Sequence, residues 1–225
     1  MPIPIGWRGN MSGTNPDLTI LVFAKAPVPG AAKTRLIPLL GAERAAALQD
    51  RLLQQALATA HAATPAHLEL WCAPDTAHPA LISASQTHRA ALHAQQGDDL
   101  GARMAHAFEQ ALRRTPKVIG IGTDCPALTV KHLHQAATAL RNGNDGVFIP
   151  AEDGGYVLIG LSRHEPRLFT GIDWGSERVM QQTREHLRSC GLRWQELETL
   201  WDVDRPQDWQ RLQQSGLLDD APSPD

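Results

Sequence analysis

Short apolar runs rich in β-branched residues, each cut off by a loop and followed by a stretch with helical periodicity, constrain this chain more than any other feature. The first run is LTILVFA (18–24), stopped by Lys25, Pro27, Pro29 and Gly30; its continuous apolar character marks a strand buried on both faces. Residues 41–61 then carry Leu48, Leu52, Ala56 and Ala60 four apart, the stripe of an amphipathic helix. HLELWCA (67–73) reads as a second strand. From Asp98 a helix places Leu100, Met104, Phe108 and Leu112 on one buried face, with the Asp98–Asp99 pair available as N-cap. KVIGIGT (117–123) is a further strand, and Thr129 caps a helix carrying Leu133, Ala137 and Leu140.

Two strands follow close together, GVFIP (146–150) and GYVLIGL (155–161), and the short connection between them predicts an antiparallel element. The last third reads as a helix over 176–189, an extended piece over 194–197 and a closing helix after Asp204. Strands alternating with helices predict an α/β sheet of mainly parallel strands with helices on both faces. One domain over 18–215 accommodates all of these elements, with 1–17 a disordered extension, or Met11 the start, and 216–225 a frayed tail.

Composition narrows the function. Of the 225 residues 42% are hydrophobic and 20% charged, which excludes disorder for the bulk of the chain. With 21 basic against 24 acidic residues there is no broad positive field to attract a phosphate backbone, so nucleic acid is excluded as a partner. Cys72, Cys125 and Cys190 are odd in number, far apart and without CxxC spacing, which argues against a disulfide scaffold or zinc ribbon. Residues 1–17 lack the apolar core of a signal peptide, and no run approaches the roughly 20 apolar residues of a membrane span. The setting read from these features is cytoplasmic.

In parallel sheets ligands bind beyond the carboxyl ends of the strands, so the loops there carry the search for chemistry. FAKAPVPGAAKTRL (23–36) sets Lys25, Lys33 and Arg35 around a stiff Pro/Gly loop that includes Gly30, a pattern suited to a di- or triphosphate; a solvated basic loop is the plain alternative. GAAKT (30–34) is not a P-loop, because Ala32 and Pro27 occupy the positions where that motif needs glycine. IGIGTDCPAL (119–128) leaves Asp124 at a strand end, either as a ligand for Mg²⁺ or as a turn former, with Cys125 a small turn residue.

PAEDGGYVLIG (150–160) offers Asp153 as metal ligand, general base or sugar-hydroxyl acceptor, with Gly154 and Gly155 allowing close backbone approach to a ligand; Tyr156 belongs either to the site or to the core. In LWDVDRPQDW (200–209), Asp202 and Asp204 stand two apart, so an extended stretch points both to one side. Asp202 is the preferred ligand, since Asp204 before Arg-Pro-Gln has the spacing of a helix N-cap. Trp174 in IDWGSER either lines an acceptor pocket or packs. His132 and His134 are two apart on a helix and cannot share a zinc.

Taken as an ordered set over residues 18–212, FAKAPVPGAAKTRL, GTDCPAL, AEDGGYVLIGL and DVDRPQDW resemble the nucleotide-diphospho-sugar transferase superfamily, the GT-A fold. The chain is most similar to a small bacterial branch of glycosyltransferase-like proteins linked by name to arsenosugar biosynthesis and related to phospholactate guanylyltransferases. The resemblance implies a Rossmann-like three-layer sandwich with a mixed, mainly parallel sheet. It implies Lys25, Lys33 and Arg35 near the phosphates of a nucleotide or nucleotide-sugar, Asp124 on Mg²⁺ or Mn²⁺, and Asp202 as second metal ligand. Many glycosyltransferases of this fold carry a D-x-D pair, whereas Thr123–Asp124–Cys125 supplies one of those carboxylates and Asp124 to Pro126 looks more like the D-x-P of nucleotidyltransferases.

Three functions follow. In glycosyl transfer from a nucleotide-diphospho-sugar to a small acceptor, Asp153 positions or deprotonates the acceptor, while Lys25 and Arg35 meet the developing charge. In nucleotidyl transfer an NTP joins a phosphate or carboxylate acceptor and releases pyrophosphate. A nucleotide-binding module without catalysis is the third. In each, Gly30, Lys33, Gly154, Gly155, Tyr156 and Trp174 are candidate binding residues.

Overall fold

The computed structural model describes residues 17–64 and 67–218. The extension read over 1–17 and the tail read over 216–225 therefore lie largely outside the described residues. Asp17, at the edge of that extension, holds Arg141 through paired hydrogen bonds of 2.7 and 2.8 Å, and Leu218 packs against a core cluster.

Seven strands form one sheet: β1 (Thr19–Lys25), β2 (Leu68–Ala73), β3 (Ala91–Ala94), β4 (Val118–Gly122), β5 (Gly146–Pro150), β6 (Tyr156–Leu161) and β7 (Trp194–Glu196). Their order across the sheet is β3-β2-β1-β4-β6-β5-β7. Only β6 runs against its neighbours, pairing antiparallel with β4 and β5; the other pairs are parallel. The short 151–154 connection forces this reversal, because a parallel crossover needs a dozen residues or more.

The helices are α1 (Ile37–Leu40), α2 (Ala42–Ala63), α3 (Pro79–His88), α4 (Leu100–Leu112), α5 (Val130–Arg141), α6 (Val179–Ser189) and α7 (Pro206–Ser215). Alternation along β1 sorts the core into two layers. Ile20, Val22 and Ala24 meet Leu53, Leu57, Leu81 and Leu133 of α2, α3 and α5 on one face. Leu21 faces the other way, toward Met104 and Phe108 of α4 and Met180 and Leu187 of α6. A third cluster joins Leu48 and Leu52 of α2 to Trp209 and Leu212 of α7 and to Trp201 and Val203.

Several expectations change. Sequence periodicity misses α3 and β3, since α3 buries only Leu81 and Ala84 and leaves Ile82 exposed, without a clear apolar stripe, and β3 is only ALHA. The buried face of α4 is Gly101, Met104, Ala107, Phe108 and Ala111, turned from the expected stripe, so that Leu100 is 44% exposed. Asp99 caps α4 by accepting the Ala102 N–H at 2.7 Å. Asp204 does not cap α7: Asp208 accepts the Arg205 and Asp204 N–H groups, and Asp204 itself pairs with Arg35.

Candidate active site

A cleft of about 910 Å³ opens at the carboxyl ends of β1, β2, β4 and the reversed turn into β6, the position at which sheets of this kind take ligands. Four carboxylates, Asp124, Asp153, Asp202 and Asp204, reach it from three separate loops, and backbone pairing explains why. Ala151 forms a parallel bridge with Leu200, extended by Leu200 N–H to Pro150 O at 3.0 Å and Glu152 N–H to Leu200 O at 2.9 Å. Two residues further along each chain stand Asp153 and Asp202, both in the cleft lining. The Val203 N–H then donates to Asp124 O at 2.8 Å, which joins the end of β4 to the same place. Val203 is fully buried between Asp202 and Asp204, and both carboxylates border the cleft, as their spacing predicts.

The Asp124 carboxylate is held by two side chains, one of them backed by a third. Lys33 Nζ lies 2.8 Å from its Oδ1, and Thr123 Oγ1 donates to the same oxygen at 3.1 Å. Gln49 Nε2 of α2 donates to Thr123 Oγ1 at 3.1 Å from within the core. Lys33 is itself buried and gives a second hydrogen bond, 2.6 Å, to Val203 O. Its backbone is left-handed, φ 47°, a conformation that costs a non-glycine residue and that aims the side chain inward. Lys33 thus ties the β1 loop to Asp124 and to the Asp202 loop, a different placement from the open phosphate loop read in the sequence.

The other predicted residues divide. Lys25 lines the cleft and donates to Ala31 O at 2.7 Å. Arg35 is exposed, stands outside the lining and pairs with Asp204. Gly155, Tyr156 and Trp174 line the cleft; Gly30 and Gly154 shape backbone instead. At Gly154, φ +91°, an added Cβ would fall 2.1 Å from Glu177 O, and the Gly154 carbonyl accepts Met180 N–H at 2.8 Å. Asp153 accepts Gly155 N–H at 2.9 Å across its own turn and leaves its carboxylate exposed. The Tyr156 ring stands edge-on to Trp174 and to Phe148, and burial pushes its phenol up.

Burial, with the neighbouring carboxylates of Asp153 and Asp124, raises the Asp202 carboxyl to about 6. The lining sets the carboxylates of Asp124, Asp153, Asp202 and Asp204 against Lys25, Lys33 and Arg103. Among the described residues no group of three or more His, Cys, Asp or Glu is placed to hold a metal ion alone. Two hard carboxylates completed by ligand phosphate oxygens are a common Mg²⁺ arrangement, so Asp124 and Asp202 fit such an ion together with a phosphorylated ligand. Burial also holds the Cys125 thiol up at about 12, which removes it as a nucleophile near neutral pH.

Sequence reasoning missed Gln49, Thr123, Arg103 and Gly122. Gln49 and Thr123 look like ordinary polar residues in a helix and at a strand end; only the fold reveals their chain to Asp124. Arg103 lines the cleft one turn into α4, turned by a 3.0 Å bond to Gly97 O, and the Asp99 cap was the available signal for its position. Among the described residues no helix is long and apolar enough to cross a membrane.

Residues 47–176 match the family of uncharacterized proteins conserved in bacteria termed DUF2064. Among solved structures, a protein of Desulfovibrio desulfuricans G20 assigned as a nucleotide-diphospho-sugar transferase is 34% identical, with TM-score 0.75 over 84% of this chain and 83% of its own. A cytidylyltransferase from Leptospira borgpetersenii serovar Hardjo-bovis (strain JB197) is 12% identical, with TM-score 0.59 over 89% and 86%. Rv0371C of Mycobacterium tuberculosis H37Rv, in complex with manganese, is 17% identical, with TM-score 0.56 over 89% and 100%. The latter two are likenesses of fold. No curated protein matches the chain.

Proposed function

Since the chain belongs to the DUF2064 family, we propose that it is a divalent-metal-dependent, nucleotide-using transferase that moves a glycosyl group from a nucleotide-diphospho-sugar to a small acceptor. The observation that carries this reading is the convergence of Asp124, Asp153 and Asp202 beside Lys25 in one strand-end cleft. The relative assigned as a nucleotide-diphospho-sugar transferase supports the substrate class. The manganese complex of a fold neighbour accords with a metal in such a cleft. Kinship with the branch linked to arsenosugar biosynthesis belongs to the same reading, as does a single transferase domain over 18–215. A cytoplasmic setting agrees with free thiols at Cys72, Cys125 and Cys190.

In this reading Asp124 and Asp202 would hold Mg²⁺ or Mn²⁺, whose charge offsets that of the departing diphosphate. Lys25 reaches the same phosphates from the β1 loop. The acceptor oxygen bonds the anomeric carbon, the bond from that carbon to the diphosphate oxygen breaks, the hydroxyl proton passes to Asp153 and nucleoside diphosphate leaves. Asp153 suits the role of base because, among the described residues, its side chain accepts a hydrogen bond from one backbone N–H and its carboxylate lines the cleft, which leaves lone pairs for an acceptor.

One observation favours nucleotidyl transfer as the second reading: the carboxylates of Asp124 and Asp202 come from two separate loops, and Thr123–Asp124–Cys125 lacks the second carboxylate of a D-x-D at the end of β4. There an acceptor oxygen bonds the α-phosphorus and pyrophosphate leaves. Against it, Arg35 is paired with Asp204 and Lys33 with Asp124, so the cationic cluster that would stabilise a five-coordinate phosphorus is dispersed. The test is a panel of NTPs and nucleotide-sugars with and without Mg²⁺, followed by thermal shift and by analysis of released product. A ligand at 100 times its dissociation constant raises Tm by about 5 to 11 °C for a chain of this size. Nucleoside diphosphate release supports glycosyl transfer, pyrophosphate release supports the second reading, and no metal-dependent shift with any nucleotide sinks both.

A further inference from the structure

The cleft has two unlike halves. Around Lys25, Asp124, Asp153 and Asp202 it is charged. The other half is the open rim of the core layer under α4 and α6: Phe23 of β1, Met104 of α4, Ile159 and Tyr156 of β6, and Trp174. Trp174 can lie close because Gly101 of α4 has no side chain; a Cβ there would fall 2.4 Å from Trp174 Nε1. Gly122, at the end of β4, also borders the cleft, and a Cβ built on it meets nothing within 4 Å. The missing side chain leaves room at the junction of the two halves.

Two side-chain hydroxyls stand along the apolar half, and one of them, that of Ser176, already accepts the Arg178 N–H at 3.2 Å. Tyr156 Oη is shut off from solvent and has no hydrogen-bond partner among the described residues. A buried hydroxyl without a partner is destabilising, so its retention calls for a partner absent from the protein alone. Arg103 also borders the cleft, but its bond to Gly97 O turns its head to the loop after β3. No carboxylate or ammonium belongs to this wall.

Resting on the reading of the cleft as a transferase site, we propose that this half is the acceptor subsite and that it takes a small alcohol with an apolar body, whose polar group completes the hydrogen bond Tyr156 lacks. A second sugar or a phosphorylated acceptor presents many polar groups, and a wall whose unpaired side-chain hydroxyl is that of Tyr156, with the Trp174 indole N–H and the already engaged Ser176 beside it, would leave most of them desolvated and unmatched. The same argument disfavours a nucleobase, whose edge carries several donors and acceptors. The apolar ring or chain gains from burial against Phe23, Met104 and Trp174, and Gly122 leaves space beside Asp153 and the charged half for its hydroxyl.

Ligand-observed NMR on the full chain, without nucleotide, tests this with 4-methylphenol and cyclohexanol against glucose and glycerol 3-phosphate. The expected result is binding of the two apolar alcohols and of neither polar compound. Tyr156→Phe is expected to weaken 4-methylphenol about 5-fold, the effect of one ordinary hydrogen bond, while leaving Tm of the free protein equal or higher because an unpaired hydroxyl is gone. Gly122→Leu, filling open space at an exposed strand end, is expected to abolish binding.

Preference for glucose or glycerol 3-phosphate would overturn the proposal. So would 4-methylphenol affinity unchanged in both variants, or competitive displacement of 4-methylphenol by a nucleoside, which would assign the wall to the base. If the apolar alcohols bind as expected and no nucleotide binds with Mg²⁺, the transferase reading fails and the subsite stands, so the two failures are separate.

Discussion

Lys33 and Asp124 form a 2.8 Å ion pair in which the cation is buried, its side chain 3% accessible, and the carboxylate is 46% accessible. The buried partner cannot be hydrated, so it depends on Asp124 and on Val203 O, whereas Asp124 keeps one side open to a ligand. Removing the ammonium in Lys33→Met trades two charge-assisted hydrogen bonds for an apolar side chain in a polar slot. Each such bond contributes about 1.5 to 3 kcal/mol, and the lost desolvation cost offsets part of the sum. A net loss of about 2 kcal/mol, or about 4 to 8 °C in Tm, is expected in a thermal melt. A melt equal to wild type would mean that the loops of Asp124 and Asp202 do not need this strut.

Gly154 separates shape from chemistry. Its φ of +91° and the 2.1 Å approach of an added Cβ to Glu177 O leave no room for a side chain, and the obstacle is backbone. Gly154→Ala is expected to cost more than about 3 kcal/mol, combining strain and overpacking, with Tm lower by at least about 6 °C. Gly30→Ala, at φ +82° with open space around it, pays for conformation alone, about 1 kcal/mol. Similar melts for both variants would show that the contact between the 151–154 turn and α6 is not what requires Gly154.

The strands and helices that build the sheet around the site were legible because each has a clean period. LTILVFA and KVIGIGT could only be buried strands, and the stripe of Leu48 and Leu52 could only face inward. Asp124 and Asp153 could be picked out because each stands shortly after an apolar run, where the chain must leave the core, and Asp202 because its two-residue spacing from Asp204 turns both carboxylates to one side. What the sequence concealed is pairing across distance. Nothing local tells that Lys33 turns inward to Asp124 while Arg35, two residues on, turns outward to Asp204; that choice depends on the left-handed backbone at residue 33 and on Val203 arriving from the far end of the chain. The orphaned hydroxyl of Tyr156 is similarly invisible until Phe148 and Trp174 close around it.

Asp153→Asn distinguishes catalysis from architecture. The amide oxygen of asparagine can accept Gly155 N–H as the carboxylate does at 2.9 Å, so the turn persists and Tm is expected to move by less than about 2 °C, the range of an exposed substitution. As general base for the acceptor, the same change is expected to lower kcat by about 10²- to 10⁴-fold with little change in KM for the nucleotide-sugar. Steady-state kinetics with the donor identified by the thermal panel provides the check. Unchanged kcat would remove Asp153 from the proton-transfer step and leave acceptor activation to another group.

Asp202 gives the cleft a pH signature whose sign follows from its environment. Burial first, then the carboxylates of Asp153 and Asp124, raise its carboxyl from an ordinary 3.8 to about 6. The folded protein therefore holds this proton more tightly than the unfolded chain does. The resulting stabilisation is fully present below an ordinary carboxyl pKa and is lost as pH rises through about 6. In metal-free protein Asp202→Asn removes the ionisation, so the variant is expected to melt a few degrees above wild type at pH 7.5, with the gap closing near pH 4; a change of 1 kcal/mol moves Tm by about 2 to 4 °C. Addition of Mg²⁺ and nucleotide is expected to reverse the order, because the ionised wild-type carboxylate gains a cation and the amide gains far less. Melts across pH 4–8, with and without Mg²⁺ and nucleotide, measure both effects. A variant that is less stable than wild type at pH 7.5 without metal, or that keeps the full magnesium-dependent shift, would remove Asp202 from the metal site.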